Sequence, residues 1–182
     1  GSFNDKGIHS YSSNTDYFIL GKKTPGWILG FQHNFTYRDF DLSFFVMARW
    51  GYMVNNDVIT RYNPTTSLDN SPTGSDYWTP ENQGAYLPRP GLHDKAADYK
   101  GFTSLAYMDG SYIKVKNITL GYSLPKKWLA KIRMEKLRVY ATAYDPFIFA
   151  KEKLMRDLDP ENNGASNFPL TKRFVFGVNV TF

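Results

Sequence analysis

Residues 173–182 read RFVFGVNVTF. Phe174, Phe176, Val178, Val180 and Phe182 share one parity, and Arg173, Gly177, Asn179 and Thr181 share the other, with Val175 the exception. Alternation over that length specifies a β-strand with one apolar and one mostly polar face. In a soluble sheet, an apolar row on an unprotected edge strand invites aggregation. A closed membrane barrel accommodates the same row, because closure removes the edge and lipid covers the apolar side. On this strand alone the two architectures stand level.

Four more stretches alternate in the same way. Over 27–37, Trp27, Leu29, Phe31, Phe35 and Tyr37 oppose Gly30, Gln32, Asn34 and Thr36, with His33 intruding on the apolar parity. Arg38-Asp39 predicts a tight turn. Over 40–51, Phe40, Leu42, Phe44, Val46, Ala48 and Trp50 oppose Asp41, Ser43, Phe45, Met47, Arg49 and Gly51. Over 111–123 the phase slips between Ile113/Val115 and Ile118/Leu120/Tyr122, which predicts a β-bulge at Lys116-Asn117. Over 136–147, Leu137, Val139, Ala141 and Ala143 oppose Arg138, Tyr140, Thr142 and Tyr144. A fifth strand covers 172–182. These runs match the ~9–11 residues that cross a bilayer and exceed the ~5–6 of an ordinary soluble strand. The longest uninterrupted apolar stretch is Phe44 to Ala48, so a transmembrane helix is excluded. A mean hydropathy of −0.46 does not argue against a barrel, whose signal is alternation.

The connections alternate as well: short at 38–39, very long at 52–110, medium at 124–135 and long at 148–171. Outer-membrane barrels have short periplasmic turns and long extracellular loops. Placing Phe182 at the periplasmic end puts 52–110 and 148–171 outside, and every length fits its side. The expected fold is therefore all-β, an antiparallel transmembrane β-barrel segment of about five long strands. Residues 1–25 read as an irregular segment with a β-like island at 17–20, and KKWLAKIRME as a connector of one or two helical turns. Within 52–110, Tyr77, Trp78 and Tyr86 stand among polar residues, a composition that suits an extended polar ligand or packing onto the barrel's own rim. Arg49 and Tyr144 lie on the polar parity near the same end. These five are the candidate substrate-binding residues. Phe44, Val46, Leu137, Val139, Phe174, Phe176, Val178 and Val180 are the candidate lipid-facing ones. Gln32, Asn34, Thr142, Asn179 and Thr181 join Arg49 on the expected lumen side.

The chain contains no cysteine, which excludes disulfides and thiolate metal sites. Its three histidines lack ligand spacing. Asp157, Asp159 and Glu161 resemble the start of a calcium loop, but Asn162 and Phe168 stand where Gly and Glu are required. A solvated loop with an Asp-Pro turn is the expectation there. No nucleophile elbow or phosphate-binding glycine loop is present, so no catalytic residue, cofactor or metal is assigned. The charge of +5 shows no nucleic-acid pattern.

The ordered segments PGWILGFQHNFTYRDFDLSFF, DYWTPEN, GSYIKVKNITLGYSLP, LRVYATAYDPFIF, DLDPE and RFVFGVNVTF resemble the C-terminal end of SusC/RagA-type TonB-dependent outer-membrane transporters. The resemblance covers nearly the whole chain. It departs at Asp145, where the family usually has Asn, and in 3–16, which keeps only traces of the family's acidic loop. It implies the last five strands of a 22-stranded barrel in the bacterial outer membrane. It also implies import of oligomeric glycans or peptides beneath a SusD-like surface lipoprotein. Plug and TonB contact would lie in an N-terminal part outside these residues, and Phe182 would serve as the assembly signal. The competing function is a soluble carbohydrate-binding or adhesive β-domain. Solubility separates the two: a barrel segment should stay folded only in detergent or lipid, whereas a folded monomer in plain buffer, read by sedimentation and circular dichroism, would favour the soluble domain.

Overall fold

The computed structural model describes residues 2–3, 9–10, 19–62, 76–87, 89, 102–130, 134–155, 158–166 and 171–182. In chain order the strands are β1 (Ser2–Phe3), β2 (His9–Ser10), β3 (Trp27–Tyr37), β4 (Phe40–Trp50), β5 (Met53–Asn55), β6 (Tyr107–Asp109), β7 (Tyr112–Ser123), β8 (Lys136–Ala150) and β9 (Arg173–Thr181). Helix α1 spans Asp57–Tyr62 and α2 spans Lys126–Leu129. One five-stranded antiparallel sheet of order β3-β4-β7-β8-β9 forms the body. All five expected strands are present within a few residues of their expected ends. The largest difference is β8, which runs on to Ala150. The segment 1–25 holds a small β1–β2 ladder. The β-like island is not a strand at Ile19 and Leu20, and its first two residues lie outside the described residues.

Register fixes the two faces. Phe44 stands opposite His33 and Ile118, and Val46 opposite Phe31 and Val115. Ile118 stands opposite Ala143, which stands opposite Phe174. Val139 links Tyr122 to Val178, and Leu137 meets Val180. One apolar face therefore runs across all five strands. Its rings stand open: Trp27 is 49% exposed, Phe174 69% and Phe176 79%. His33 is the polar ring on this face. It packs 4.0 Å from the Phe35 ring, between Phe31 and Phe44. Arg49 lies on the opposite face, paired with Ile28 and Tyr112. Gln32, Asn34, Thr142, Asn179 and Thr181 share that face by register.

The bulge is where the phase slip placed it. Lys116 is the extra residue of β7, since Val115 and Asn117 pair with the adjacent Val46 and Phe45. On β8, Asp145-Pro146 fills the step between Tyr144 and Phe147. Pro146 has no N–H to give a ladder, so it sits at the irregularity. By parity Asp145 belongs to the apolar face. Its left-handed backbone, φ 50°, turns the carboxylate inward to Lys114 and Lys116 instead.

Toward the end that carries the short connections, a bidentate ion pair straps the polar face. Arg138 donates through Nε and Nη2 to Asp41, at 2.9 and 2.5 Å, crossing over β7. Gly121 makes the crossing possible, because a Cβ there would lie 2.4 Å from both Arg138 Nη2 and Asp41 Oδ1. Deeper along the same face, the Thr119 and Thr142 hydroxyls bond at 2.9 Å.

The long connection 52–110 carries regular structure near both its ends. Its two ends form a lobe on the rim. Strands β5 and β6 pair, and α1 and the 3-10 turn Phe102–Ala106 pack beside them. Tyr52, Val54, Ile59, Ala106, Met108, Tyr112 and Met155 make its buried core. Asn56, 1% exposed, caps α1 by accepting from Val58 N and Ile59 N at 3.1 Å. Its amide donates to Leu154 O at 3.3 Å, tying in the connection after β8. Gly121→Val should force the Asp41–Arg138 strap apart, costing about 1–3 kcal/mol as overpacking does. A lowered unfolding temperature of the full-length protein would record it, and an unchanged temperature would refute it.

Candidate functional site

The sequence-selected residues fall into two groups at the long-loop end. Arg49 and Tyr144 belong to the polar wall. Arg49 is half-buried near the top of β4, and its Nε has no hydrogen-bond partner among the described residues. Tyr144 carries the Arg173 guanidinium 5.2 Å from its ring centroid. Tyr77, Trp78 and Tyr86 belong to a hairpin-like turn over 76–87. Trp78 N donates to Leu87 O at 2.9 Å, and Leu87 N to Asp76 O at 3.0 Å. The Asp76 carboxylate accepts from Asn82 Nδ2 at 2.8 Å and from Tyr86 N at 3.3 Å. Thr79 and Asn82 close the tip around Pro80.

This turn is fastened to the rim lobe. Leu87 packs on the lobe's core, and the Tyr86 hydroxyl donates to Leu105 O at 2.6 Å. Burial pushes the Tyr86 phenol up from its usual value. Tyr86 thus spends its hydroxyl on the loop and leaves a ring 37% exposed, while Tyr77 is 42% exposed and Trp78 half-buried. No hydrogen bond or ring contact among the described residues joins this turn to Arg49 or Tyr144.

The densest chemistry at this end was not among the expected site residues. Asp159 and Glu161 do not lie in a solvated loop. Lys114 Nζ donates to Asp159 Oδ2 and to Glu161 Oε2, each at 2.7 Å, and lies 3.3 Å from Asp145 Oδ1. Lys116 Nζ bonds both Glu161 oxygens at 3.0 and 2.9 Å and lies 3.2 Å from Asp145. Lys114 is 1% exposed. A buried ammonium without counter-charge is severely unfavourable, so the carboxylates are required there. Asp157, the third member of the acidic run, lies outside the described residues. A signal for this cluster exists in IKVKN, where alternation puts two lysines of like charge on one face of a strand. DLDPE is the nearby concentration of counter-charge.

The turn that carries these carboxylates is preshaped. Asp159 Oδ1 accepts from Glu161 N at 3.0 Å, and Pro160 opens a 3-10 turn. Asn163 and Gly164 return the chain through left-handed φ of 55° and 81°. Gly164 is obligatory, because a Cβ would meet Asn55 O at 2.1 Å. From the lobe, the Tyr52 hydroxyl donates to Pro160 O at 3.3 Å, and burial pushes that phenol up to about 12. Asp57 N donates to Gly164 O at 3.0 Å.

No protein-family model matches the chain. Among curated proteins it is 28% identical to TonB-dependent receptor P3 of Formosa agariphila over 93% of its length. It is 27% identical to the TonB-dependent receptor SusC of Bacteroides thetaiotaomicron over 99%. Among solved structures it superposes on the RagAB peptide transporter with a TM-score of 0.70 at 23% identity, covering 95% of this chain and 19% of that one. The chain is thus similar in sequence to TonB-dependent receptors, SusC among them, and in fold to the RagAB transporter. It spans 17–19% of the length of the curated relatives it matches. The sheet is accordingly a segment of a transmembrane barrel, and the fold class expected from alternation holds.

Two carboxylates titrate abnormally at the rim. Burial alone would raise Glu161, but the hydrogen bonds from Lys114 and Lys116 outweigh it and hold the carboxyl below its usual range. At Asp109 burial is likewise overcome, by Lys151 and Ser111. Both folded-state values are depressed, so the stability they lend is complete above the unfolded carboxylate range, about pH 4. It is lost as pH falls through the folded values. In the full-length receptor, hydrogen-exchange protection of the rim lobe, corrected for intrinsic rates, should persist to about pH 4–5 and fall below it. Full protection in strong acid would contradict this assignment.

Proposed function

We propose that this chain forms part of the wall and mouth of an outer-membrane transporter that imports oligomeric nutrients, glycans or peptides, with a SusD-like surface lipoprotein as partner. The observation that carries the reading is the single apolar face spanning all five strands, open to the surroundings along its length. Lipid satisfies such a face, whereas a soluble adhesive domain would need a second layer over it. On this reading Phe44, Val46, Leu137, Val139, Phe174, Phe176, Val178 and Val180 meet lipid, and Arg49 and Tyr144 meet the lumen. The long connections face the outside. The RagAB likeness supports a peptide or another polar oligomer as cargo, since RagAB is a peptide transporter. TonB engages a part of the receptor outside these residues, and Phe182 serves the assembly machinery as its signal.

In this proposal the turn over 76–87 presents Tyr77, Trp78 and Tyr86 at the mouth. Aromatic planes stack on sugar faces or peptide side chains, and the Arg49 guanidinium supplies directional hydrogen bonds. The same turn also has the form of a docking surface for the lipoprotein, because it is braced on the lobe and leaves two rings partly exposed. Trp78→Ala with Tyr86→Ala in the full-length receptor separates these roles. Loss of uptake with the lipoprotein still co-purifying assigns the turn to cargo, and loss of the lipoprotein assigns it to the partner. Normal uptake with normal co-purification removes the turn from both.

A further inference from the structure

The connection after β8 folds inward. Asp159 and Glu161 reach Lys114 and Lys116, which extend from the polar face of β7, so the turn 159–161 lies against the inside of the wall just below its rim. Lys114 stands two residues below the rim residue Tyr112. The contact is closed: Lys114 and Pro160 are among the most buried side chains of the chain. The left-handed Asp145 brings a third carboxylate in from β8, on the strand beside β7. The same turn is gripped from the rim lobe through Tyr52 and through Asp57 N on Gly164 O.

We propose that Lys114 is a positioning residue of the import route. With Lys116 it clasps the Asp159-Pro160-Glu161 turn to the inner wall, where the turn narrows the mouth and holds the rim lobe in place. This inference rests on the polar face being the lumen. The local turn geometry is set by Asp159, Pro160 and Gly164, so the lysines do not shape the turn; they fix where it sits. Removing the Lys114 ammonium strips Asp159 of its partner and leaves three carboxylates facing Lys116 alone, which drives the turn off the wall. Residues deeper on the polar row of β7, such as Thr119, then become reachable from the mouth.

The test uses the full-length receptor in intact cells, made cysteine-free outside the probe; the 182 residues here contain no cysteine. Thr119→Cys is labelled with a membrane-impermeant maleimide. Labelling should be slow with the clasp intact and faster by on the order of tenfold with Lys114→Met, as expected where local opening limits access. Lys114→Arg, which keeps the charge, should restore the slow rate. Glu161→Gln removes a carboxylate while keeping both lysines and the packing volume, and gives the same comparison if Lys114→Met fails to reach the membrane. Equal rates in all backgrounds, or fast labelling with the clasp intact, overturn the proposal. Asn163→Cys, exposed on the same turn, reports the side of the membrane independently. If it stays unlabelled on intact cells in every background, the orientation under the proposed function fails, whatever the clasp does.

Discussion

Inside hydrocarbon a backbone N–H or C=O has no water to bond, and each unmet group costs several kcal/mol. The ladder between neighbouring strands is therefore the interaction on which the rest of this structure depends. It fixes the register of β3, β4, β7, β8 and β9, and register fixes which side chains share a face. A one-residue slip anywhere in the set would move an apolar row to the polar side. The one place where the ladder breaks, at Lys116 and Asp145-Pro146, is also where charge gathers. The bulge frees two side chains from strict alternation, and both are used to build the ionic cluster.

That coupling explains how much was legible in the sequence. Strands facing two different solvents must alternate, so Phe174 to Val180 and Phe40 to Trp50 announce their faces without help from the fold. The phase slip from Val115 to Ile118 likewise locates the bulge. Asp145 defeats the same logic, because parity places it on the apolar side and a left-handed backbone carries its carboxylate to the other. Alternation has no means of expressing a single dihedral angle. The rim lobe was illegible for a different reason. Its core draws Tyr52, Met108 and Met155 from distant points of the chain, and no local period marks them.

The candidate site divides along the same line. Arg49 and Tyr144 follow from parity, and register puts both on the polar face. Tyr86 was read as an aromatic for a ligand or for packing onto the rim, and its hydroxyl is engaged by Leu105 O, a partner nineteen residues away that composition does not reveal. Asp159 and Glu161 looked like solvated acids because their counter-ions sit forty-five and forty-seven residues earlier on a strand. Long-range ion pairs of this kind leave only a one-sided trace in a sequence. Here that trace is two like charges on one face of a strand.

Ring pairs stand at both ends of the second long strand. At the long-loop end Trp27 and Trp50 lie 5.9 Å apart, with the Lys151 ammonium 5.4 Å from the Trp50 ring. At the other end Phe40 and Tyr122 lie 4.7 Å apart. Trp and Tyr favour the headgroup level, so these pairs act as the two marks of a ruler. The eleven residues of β4 between and including Phe40 and Trp50, at about 3.3 Å each and tilted about 35–45°, span a height of about 25–30 Å. That is at most the hydrocarbon height of an average bilayer, about 30 Å. The segment is thus matched to a membrane no thicker than that. In a thicker one it would straighten its strands or pinch the surrounding lipid, so bilayer thickness becomes a force acting on the tilt of the wall.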